Sequence, residues 1–363
     1  MSRYVVKLGS NIVAHDDGAL REDVLAQICN EVAARHAAGD DVVIVTSGAI
    51  ARGMDIMGIA SRPQEMADLQ AASAVGQGDL HRAYVTRLGE HGVRSAQVLL
   101  TFLDIGRREH YLNARRTLGR LLDWRVVPIV NENDTTATEE ITFGDNDFLA
   151  AQVAILVGAD HLVLLTNQHG LHAADPRTRP DAPLIREITD PAQLAELQIG
   201  QSPSALGSGG MRSKVVAAEM ATAAGITTTI CSGLREGVLG RVLAGEQEGT
   251  RFTPQEARYS SFELWLRYAK PARGTLTVDS GAARALREDG ASLLPVGISV
   301  VEGAFQPGDA VEVHDASGLI AKGIVGFDAD DLRKVAGMQT DQVRATLPRA
   351  ADEAIHRDHL VLA

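Results

Sequence analysis

Tyr4-Val5-Val6-Lys7-Leu8-Gly9-Ser10-Asn11 opens the chain with five strand-forming residues that run straight into a glycine turn. A short, mostly apolar run closed by small polar residues is the pattern of a strand buried on both faces. The same form recurs at Val42-Val43-Ile44-Val45, Val126-Val127-Pro128-Ile129-Val130 and Leu162-Val163-Leu164-Leu165. Between these runs lie Ala- and Leu-rich stretches, residues 21–38, 64–88, 107–123 and 146–157, of helical length. The alternation predicts an α/β fold, a mostly parallel sheet with helices on both faces. Ligands of such sheets sit at the carboxyl ends of the strands, so the loops that follow them are where chemistry is expected.

The rhythm stops near residue 250. Arg251 to Pro271 carries two prolines and mixed charge, and reads as a connector. Short strands broken by glycine turns follow, at residues 275–278, 297–301, 309–313 and 319–321, with one helix at about 280–288. The expected division is residues 1–252 for the α/β domain, 253–272 for a linker and 273–363 for a small β-rich domain. A length of 363 residues agrees, being too long for one ordinary core.

Composition narrows the function classes. Hydrophobic residues at 45% and charged residues at 23% are those of a globular protein, and no apolar run approaches the ~18 residues of a membrane span. Met1-Ser2-Arg3-Tyr4 shows no signal-peptide pattern, and Cys29 and Cys231 form neither a disulfide framework nor a CxxC knuckle. The expected location is the cytoplasm. A net charge of −12 argues against a protein that grips phosphate backbones, but leaves room for a nucleotide in a local basic pocket.

The strand ends hold the candidate chemistry. Lys7-Leu8-Gly9-Ser10-Asn11 puts an ammonium beside converging backbone N–H groups, which suits a phosphate, although a lysine at a strand end is also an ordinary solvated residue. Thr46-Ser47-Gly48-Ala49-Ile50 lets backbone amides approach an anion. Two acidic-amide clusters, Asn131-Glu132-Asn133-Asp134 after a strand and Gly144-Asp145-Asn146-Asp147 before a helix, point to a zwitterion: carboxylates for its ammonium and amides for its carboxylate. Gly207-Ser208-Gly209-Gly210-Met211-Arg212-Ser213-Lys214 feeds a helix over 211–224 and forms an anion cradle, but in neither the Walker A nor the G-x-G-x-x-G register. His169/His172 and His356/His359 are spaced three apart without a completing ligand pattern, so no protein-held metal is expected. No hydrolase arrangement is present in the sequence.

Eight motifs in register carry a resemblance: Val6-Lys7-Leu8-Gly9, Val45-Thr46-Ser47-Gly48-Ala49-Ile50, Ala74-Val75-Gly76-Gln77, Leu112-Asn113-Ala114-Arg115, Asn131-Glu132-Asn133-Asp134, Gly144-Asp145-Asn146-Asp147, Asp175-Pro176-Arg177 and Gly209-Gly210-Met211. Together they resemble the glutamate 5-kinases, a branch of the amino acid kinase family. From Gly274 onward the chain is similar to a PUA domain, including Ser292-Leu293-Leu294-Pro295 and Ile298. The resemblance implies ATP-dependent phosphorylation of the γ-carboxylate of L-glutamate, with Mg²⁺ on the phosphate oxygens, as the first step of proline synthesis. It implies that Ser47, Asp134 and Asn146 hold glutamate, with Gly48, Ala49, Asn131 and Asp145 beside them. Thr166 and Asn167 would hold ATP together with the loop Ser208, Gly209, Gly210, Met211, Arg212, Ser213 and Lys214, while Lys7, Gly9 and Ser10 would meet its phosphates. Lys7 and Lys214 would flank the phosphoryl group in flight, with Asp147 between them as organiser.

Three departures from the family pattern bear on nucleotide affinity and preference: Asn167 where Asp is usual, Gly9-Ser10-Asn11 where Gly-Thr-Ser is usual, and Arg212 where a small residue is common. The resemblance also implies a homo-oligomer, proline as a feedback inhibitor, and hand-over of the product to a glutamyl phosphate reductase. The alternatives are a kinase for another amino-acid carboxylate, such as aspartate or N-acetylglutamate, and an RNA-binding PUA protein. Residues 271–363 hold nine Lys/Arg against fourteen Asp/Glu, a net −5, which lacks the basic stripe of an RNA reader. RNA binding and membrane association are therefore not expected.

Overall fold

The computed structural model describes residues 1–101, 104–105, 108–136, 146–176, 178–190, 192–195, 210–256, 259–347 and 351–363. They form two compact units, Met1–Arg258 and Tyr259–Ala363. In the first, β1 (Arg3–Leu8), β2 (Asp41–Thr46), β3 (Arg94–Leu100), β4 (Val126–Glu132), β5 (His161–Thr166), β6 (Glu187–Ile188), β7 (Thr227–Ser232) and β8 (Thr250–Phe252) build one sheet. Its order is β3-β4-β2-β1-β5-β7-β8-β6. Every neighbouring pair is parallel except β7 and β8, so the sheet is mostly parallel, as the sequence predicts.

The helices of this unit are α1 (Glu22–Ala37), α2 (Ala49–Met57), α3 (Met66–Gly89), α4 (Arg108–Asp123), α5 (Asn146–Val157), α6 (Met211–Ala223) and α7 (Val238–Leu243), besides shorter turns. Alternate residues of a strand face opposite ways, and both faces of β1 are covered. Val6 and Leu8 join Ile44, Ile129 and Val163 in a core closed by residues of α1, α3 and α7. Val5 and Lys7, on the other face, are equally buried, and Lys7 meets α5. Leu25, Ile28, Cys29 and Val32 give α1 its apolar stripe at helical spacing. By contrast α5 is buried almost all round, which makes it a central helix rather than a surface one.

From β1 the strand order runs to β2, β4 and β3 on one side and to β5 and β7 on the other. Loops leaving the ends of β1 and β5 therefore part and open a crevice at the switch point. One close helix contact shapes its wall. A Cβ on Gly76 of α3 would overlap the Ala49 carbonyl oxygen, and one on Gly53 of α2 would overlap that of Ala72. Glycine at both places lets α3 lie directly on α2.

In the second unit, β9 (Ala272–Val278), β10 (Ile298–Gly303), β11 (Ala310–Asp315), β12 (Gly318–Val325) and β13 (Ile355–Leu362) form a sheet of order β10-β9-β11-β12-β13. Leu276, Leu286, Val313, Ile320 and Ile355 lie in its own core. The single helix predicted there is α8 (Ser280–Glu288). Among the described residues, besides shorter turns, α9 (Ala329–Val335) and α10 (Thr340–Thr346) are present as well. They are short because each is held by its start: Asp328 accepts from the N–H of Asp331, and Gln339 and Gln342 form a capping box.

Candidate active site

Lys7, the fifth residue of β1, is 1% exposed and its ammonium meets Asp147 Oδ1 at 2.5 Å. Asp147 is fully buried in the first turn of α5, where the helix dipole favours a carboxylate. Its other oxygen, Oδ2, accepts from Lys214 Nζ at 3.0 Å and from Ser213 Oγ at 2.9 Å. Lys214 is also buried and lies in the first turn of α6, where the Gly210 carbonyl accepts from Lys214 Nζ at 3.4 Å and Ser213 Oγ at 2.9 Å. Two ammonium groups thus share one buried carboxylate, each on its own oxygen.

The surrounding loops converge on the triad. The Gly9 N–H donates to the Leu165 carbonyl at 3.3 Å, which ties the loop after β1 to the end of β5. A Cβ on Gly9 would lie 3.8 Å from Lys7 Nζ, so that loop sits against the ammonium, with Ser10 starting the next turn. Thr166 ends β5 and its hydroxyl reaches Asn167 Oδ1 at 3.4 Å. Gly210 caps α6, Met211 begins it, and Arg212 is exposed. Ser208 and Gly209 of the predicted cradle lie outside the described residues, as does Asp145 of the acidic-amide cluster.

Next to the triad is a row of neutral dipoles. Asn146, the residue before Asp147, donates from Nδ2 to Ser47 Oγ at 3.0 Å and to Asn131 Oδ1 at 3.0 Å. Asn131 in turn donates from Nδ2 to Gln77 Oε1 at 2.6 Å. Ser47 ends the loop after β2, and Gly48 follows it at φ +102°, a left-handed conformation that starts α2 at Ala49. Asp134 stands at the start of a 3₁₀ turn after β4 and accepts from the Ser73 hydroxyl. Burial pushes its carboxyl above the usual range, against the opposing pull of Ser73 and of the Arg62 guanidinium.

The structure therefore brings Lys7, Gly9, Ser47, Asn131, Asp134, Asn146, Asp147, Thr166, Ser213 and Lys214 to the carboxyl edge of one sheet. It adds residues that the sequence reading did not single out: Arg62, Ser73 and Gln77. Gln77 lay within a quoted motif, but only the contact of α3 on α2 shows what it reaches. The two cysteines take no part: both are buried, and burial pushes each thiol up to about 12. A separate cavity of about 300 Å³ opens at the amino-terminal ends of β1, β5 and β7, lined by Tyr4, His161, Thr229 and Arg251. Burial there lowers His161 to about 4, which leaves it neutral, with Nε2 2.9 Å from Thr229 Oγ1. That cavity is at the opposite edge of the sheet from Lys7.

Buried cations suited to phosphoryl oxygens, beside dipoles suited to an amino acid, define a class of enzyme that moves phosphate onto a small metabolite. A model described as the amino acid kinase family matches residues 2–232, and the chain belongs to that family. Residues 274–347 match the PUA domain. Relatives lie along nearly the whole length. Glutamate 5-kinase of Chromohalobacter salexigens is 46% identical over 99% of this chain and 96% of that protein. Those of Pseudomonas aeruginosa strain UCBPP-PA14 and Burkholderia mallei strain SAVP1 are 45% and 43% identical, each over 99% of this chain and 97% of the relative. Within the family the chain falls with the glutamate 5-kinases. Among solved structures, the UMP kinase of Bacillus anthracis matches 69% of this chain and 96% of its own, at 16% identity and a TM-score of 0.48.

Proposed function

We propose that this chain transfers the γ-phosphoryl group of ATP to the γ-carboxylate of L-glutamate, giving L-glutamyl 5-phosphate and ADP. The observation that carries the reading is the buried Lys7–Asp147–Lys214 triad placed one residue from the Ser47–Asn146–Asn131 dipoles. A carboxylate is already a nucleophile, so no general base is required; the work is positioning and charge stabilisation. Lys7 and Lys214 come from different elements and meet different oxygens of Asp147, which holds them apart around the place where phosphoryl charge develops. The amino terminus of α6, the positive end of its helix dipole, lies at the same place. Ser47, Asn131, Asn146 and Asp134 receive the amino-acid head, and the ends of β1 and β5 with the 208–214 loop receive the nucleotide.

Among the described residues no three carboxylate, imidazole or thiolate groups gather as a metal cage, and both oxygens of Asp147 face ammonium groups. Magnesium fits this site as an ion carried on the phosphate oxygens of ATP, where it neutralises charge on the transferring group. The same proposal includes a cytoplasmic setting, a homo-oligomer, proline as feedback inhibitor and hand-over of the labile acyl phosphate to a glutamyl phosphate reductase. No helix among the described residues is long and apolar enough to cross a membrane. The acidic balance of residues 271–363 supports a role for the PUA domain other than RNA binding.

The test is direct. Protein incubated with ATP, Mg²⁺ and L-glutamate in hydroxylamine should accumulate γ-glutamyl hydroxamate. Hydroxamate from aspartate or N-acetylglutamate, with none from glutamate, would overturn the reading.

A further inference from the structure

Gln77 occupies the residue after Gly76 on α3 and is half-buried. Its Oε1 accepts from Asn131 Nδ2, Asn131 Oδ1 accepts from Asn146 Nδ2, and Asn146 Nδ2 also donates to Ser47 Oγ. The two ends of an amide are chemical opposites, so one orientation propagates along this row. With Gln77 presenting oxygen, Asn131 must turn its NH₂ to Gln77 and its oxygen to Asn146. Asn146 must then spend its NH₂ on Asn131 and Ser47. Its own oxygen is left over: Asn146 Oδ1 is buried and has no hydrogen-bond partner among the described residues. A buried acceptor of this kind is costly unless a ligand supplies a donor. An amino acid's carboxylate has no proton to give, whereas its ammonium has three. Ser47 Oγ, having accepted from Asn146, keeps its own proton to donate to the carboxylate beside that ammonium.

We propose that Gln77 is a positioning residue that sets the amide polarity of Asn131 and Asn146, so that Asn146 Oδ1 takes the α-ammonium of the acceptor and the pocket discriminates against acids that lack one. The inference rests on this pocket being the amino-acid site. It also reverses the simplest reading of the cluster, in which amides serve the carboxylate: here the amide oxygen serves the ammonium and the serine hydroxyl serves the carboxylate.

The experiment compares Gln77→Met, which keeps length but removes the acceptor, with Gln77→Glu, which can only accept. Gln77→Met should raise KM for L-glutamate about tenfold, the scale of one hydrogen bond to a charged group, and leave kcat and KM for ATP within about twofold. Gln77→Glu should recover KM to within about threefold of wild type, because the relay keeps its polarity. Glutarate, which has both carboxylates but no ammonium, is the control as competitive inhibitor. Its Ki should stay within about twofold across wild type and both variants. An unmoved KM in Gln77→Met, equal losses in the two variants, or a glutarate Ki that rises with the glutamate KM would each overturn the role of Gln77. Absence of glutamate turnover in wild type would instead remove the acceptor reading itself, and the proposal with it. Circular dichroism and a thermal melt confirm that both variants are folded before kinetics are read.

Discussion

Asn146 and Asp147 are neighbours on α5, yet each organises a region of opposite electrostatic character. Around Asp147 three full charges are packed out of water, two ammonium groups and one carboxylate. Around Asn146 the groups are neutral: a hydroxyl and two amides in a hydrogen-bonded row. Full charges fixed in a buried frame act on a group whose charge changes during reaction, because they are worth most where solvent cannot reorganise. Neutral side-chain dipoles distinguish donor from acceptor and so can read the identity of a zwitterion. On the proposed reading, turnover and recognition fall to adjacent residues of one helix, and mutation should separate them.

The strongest way to break this comparison is at the charged end. Lys7→Met or Lys214→Met removes one of the two ammonium groups proposed to stabilise the transition state, and should lower kcat by at least about 10²-fold, corresponding to ~3 kcal/mol. KM for glutamate should change little. Asp147→Asn should also slow turnover, since the two ammonium groups lose what holds them in place. It takes from both lysines the carboxylate they share, which costs roughly 3–5 kcal/mol, within the roughly 5–15 kcal/mol of a typical domain. That variant should therefore melt earlier yet remain folded at 25 °C by circular dichroism. A lysine variant whose kcat stays within a few-fold of wild type would show that the ammonium group does not act on the phosphoryl group.

A smaller effect, and the converse pattern, is expected at the neutral end. Ser47→Ala removes the hydroxyl that would meet the substrate carboxylate and takes one of the two acceptors from Asn146 Nδ2. KM for glutamate should rise by about five- to tenfold, one hydrogen bond to a charged group, with kcat at saturation nearly unchanged. Initial-rate kinetics with glutamate varied at saturating ATP provide the check. Loss of kcat at constant KM would merge the two regions into one functional unit.

How far this division could be read from sequence depends on where each residue gets its position. Lys7 and Lys214 were legible because a strand-end lysine and a glycine loop feeding a helix are local patterns. So were the acidic-amide clusters, which lie directly beside a strand or helix boundary. Ser73 and Gln77 were not, because they sit mid-helix in ordinary surroundings. Only the glycine contact of α3 on α2 swings them toward β4. The fold shows the same limit. β1, β2, β4 and β5 are buried on both faces and announce themselves as apolar runs, whereas β3, at the sheet edge, reads Arg94-Ser95-Ala96-Gln97 before any apolar pair. In β7 threonine fills three of six positions, so the strand is β-branched but not apolar. β13 is masked in the same way by His356, Arg357, Asp358 and His359.

Asp134 offers the finest test, because it is a buried carboxylate beside the neutral row and its two pH effects have opposite signs. Burial holds its pKa above the ordinary carboxylate value, with Ser73 and Arg62 opposing. For binding, the ionised form is the one that attracts an ammonium. KM for glutamate should therefore rise as pH falls toward that raised pKa, beginning at a higher pH than an exposed aspartate would cause. For stability the direction reverses. Between the unfolded and folded pKa values the folded state binds more proton than the unfolded one, so Asp134 supports the fold at low pH and that support is lost as pH rises through the window. At neutral pH the buried charge opposes folding, and Asp134→Asn should remove that opposition. The variant should melt higher than wild type at pH 7.5, while its glutamate KM is raised several-fold and loses the rise toward low pH. Thermal melts at pH 7.5, and KM measured on both proteins as pH is lowered, decide the matter. A variant that melts lower than wild type at pH 7.5, or that keeps the wild-type pH dependence of KM, would place the ammonium's counter-charge elsewhere in the pocket.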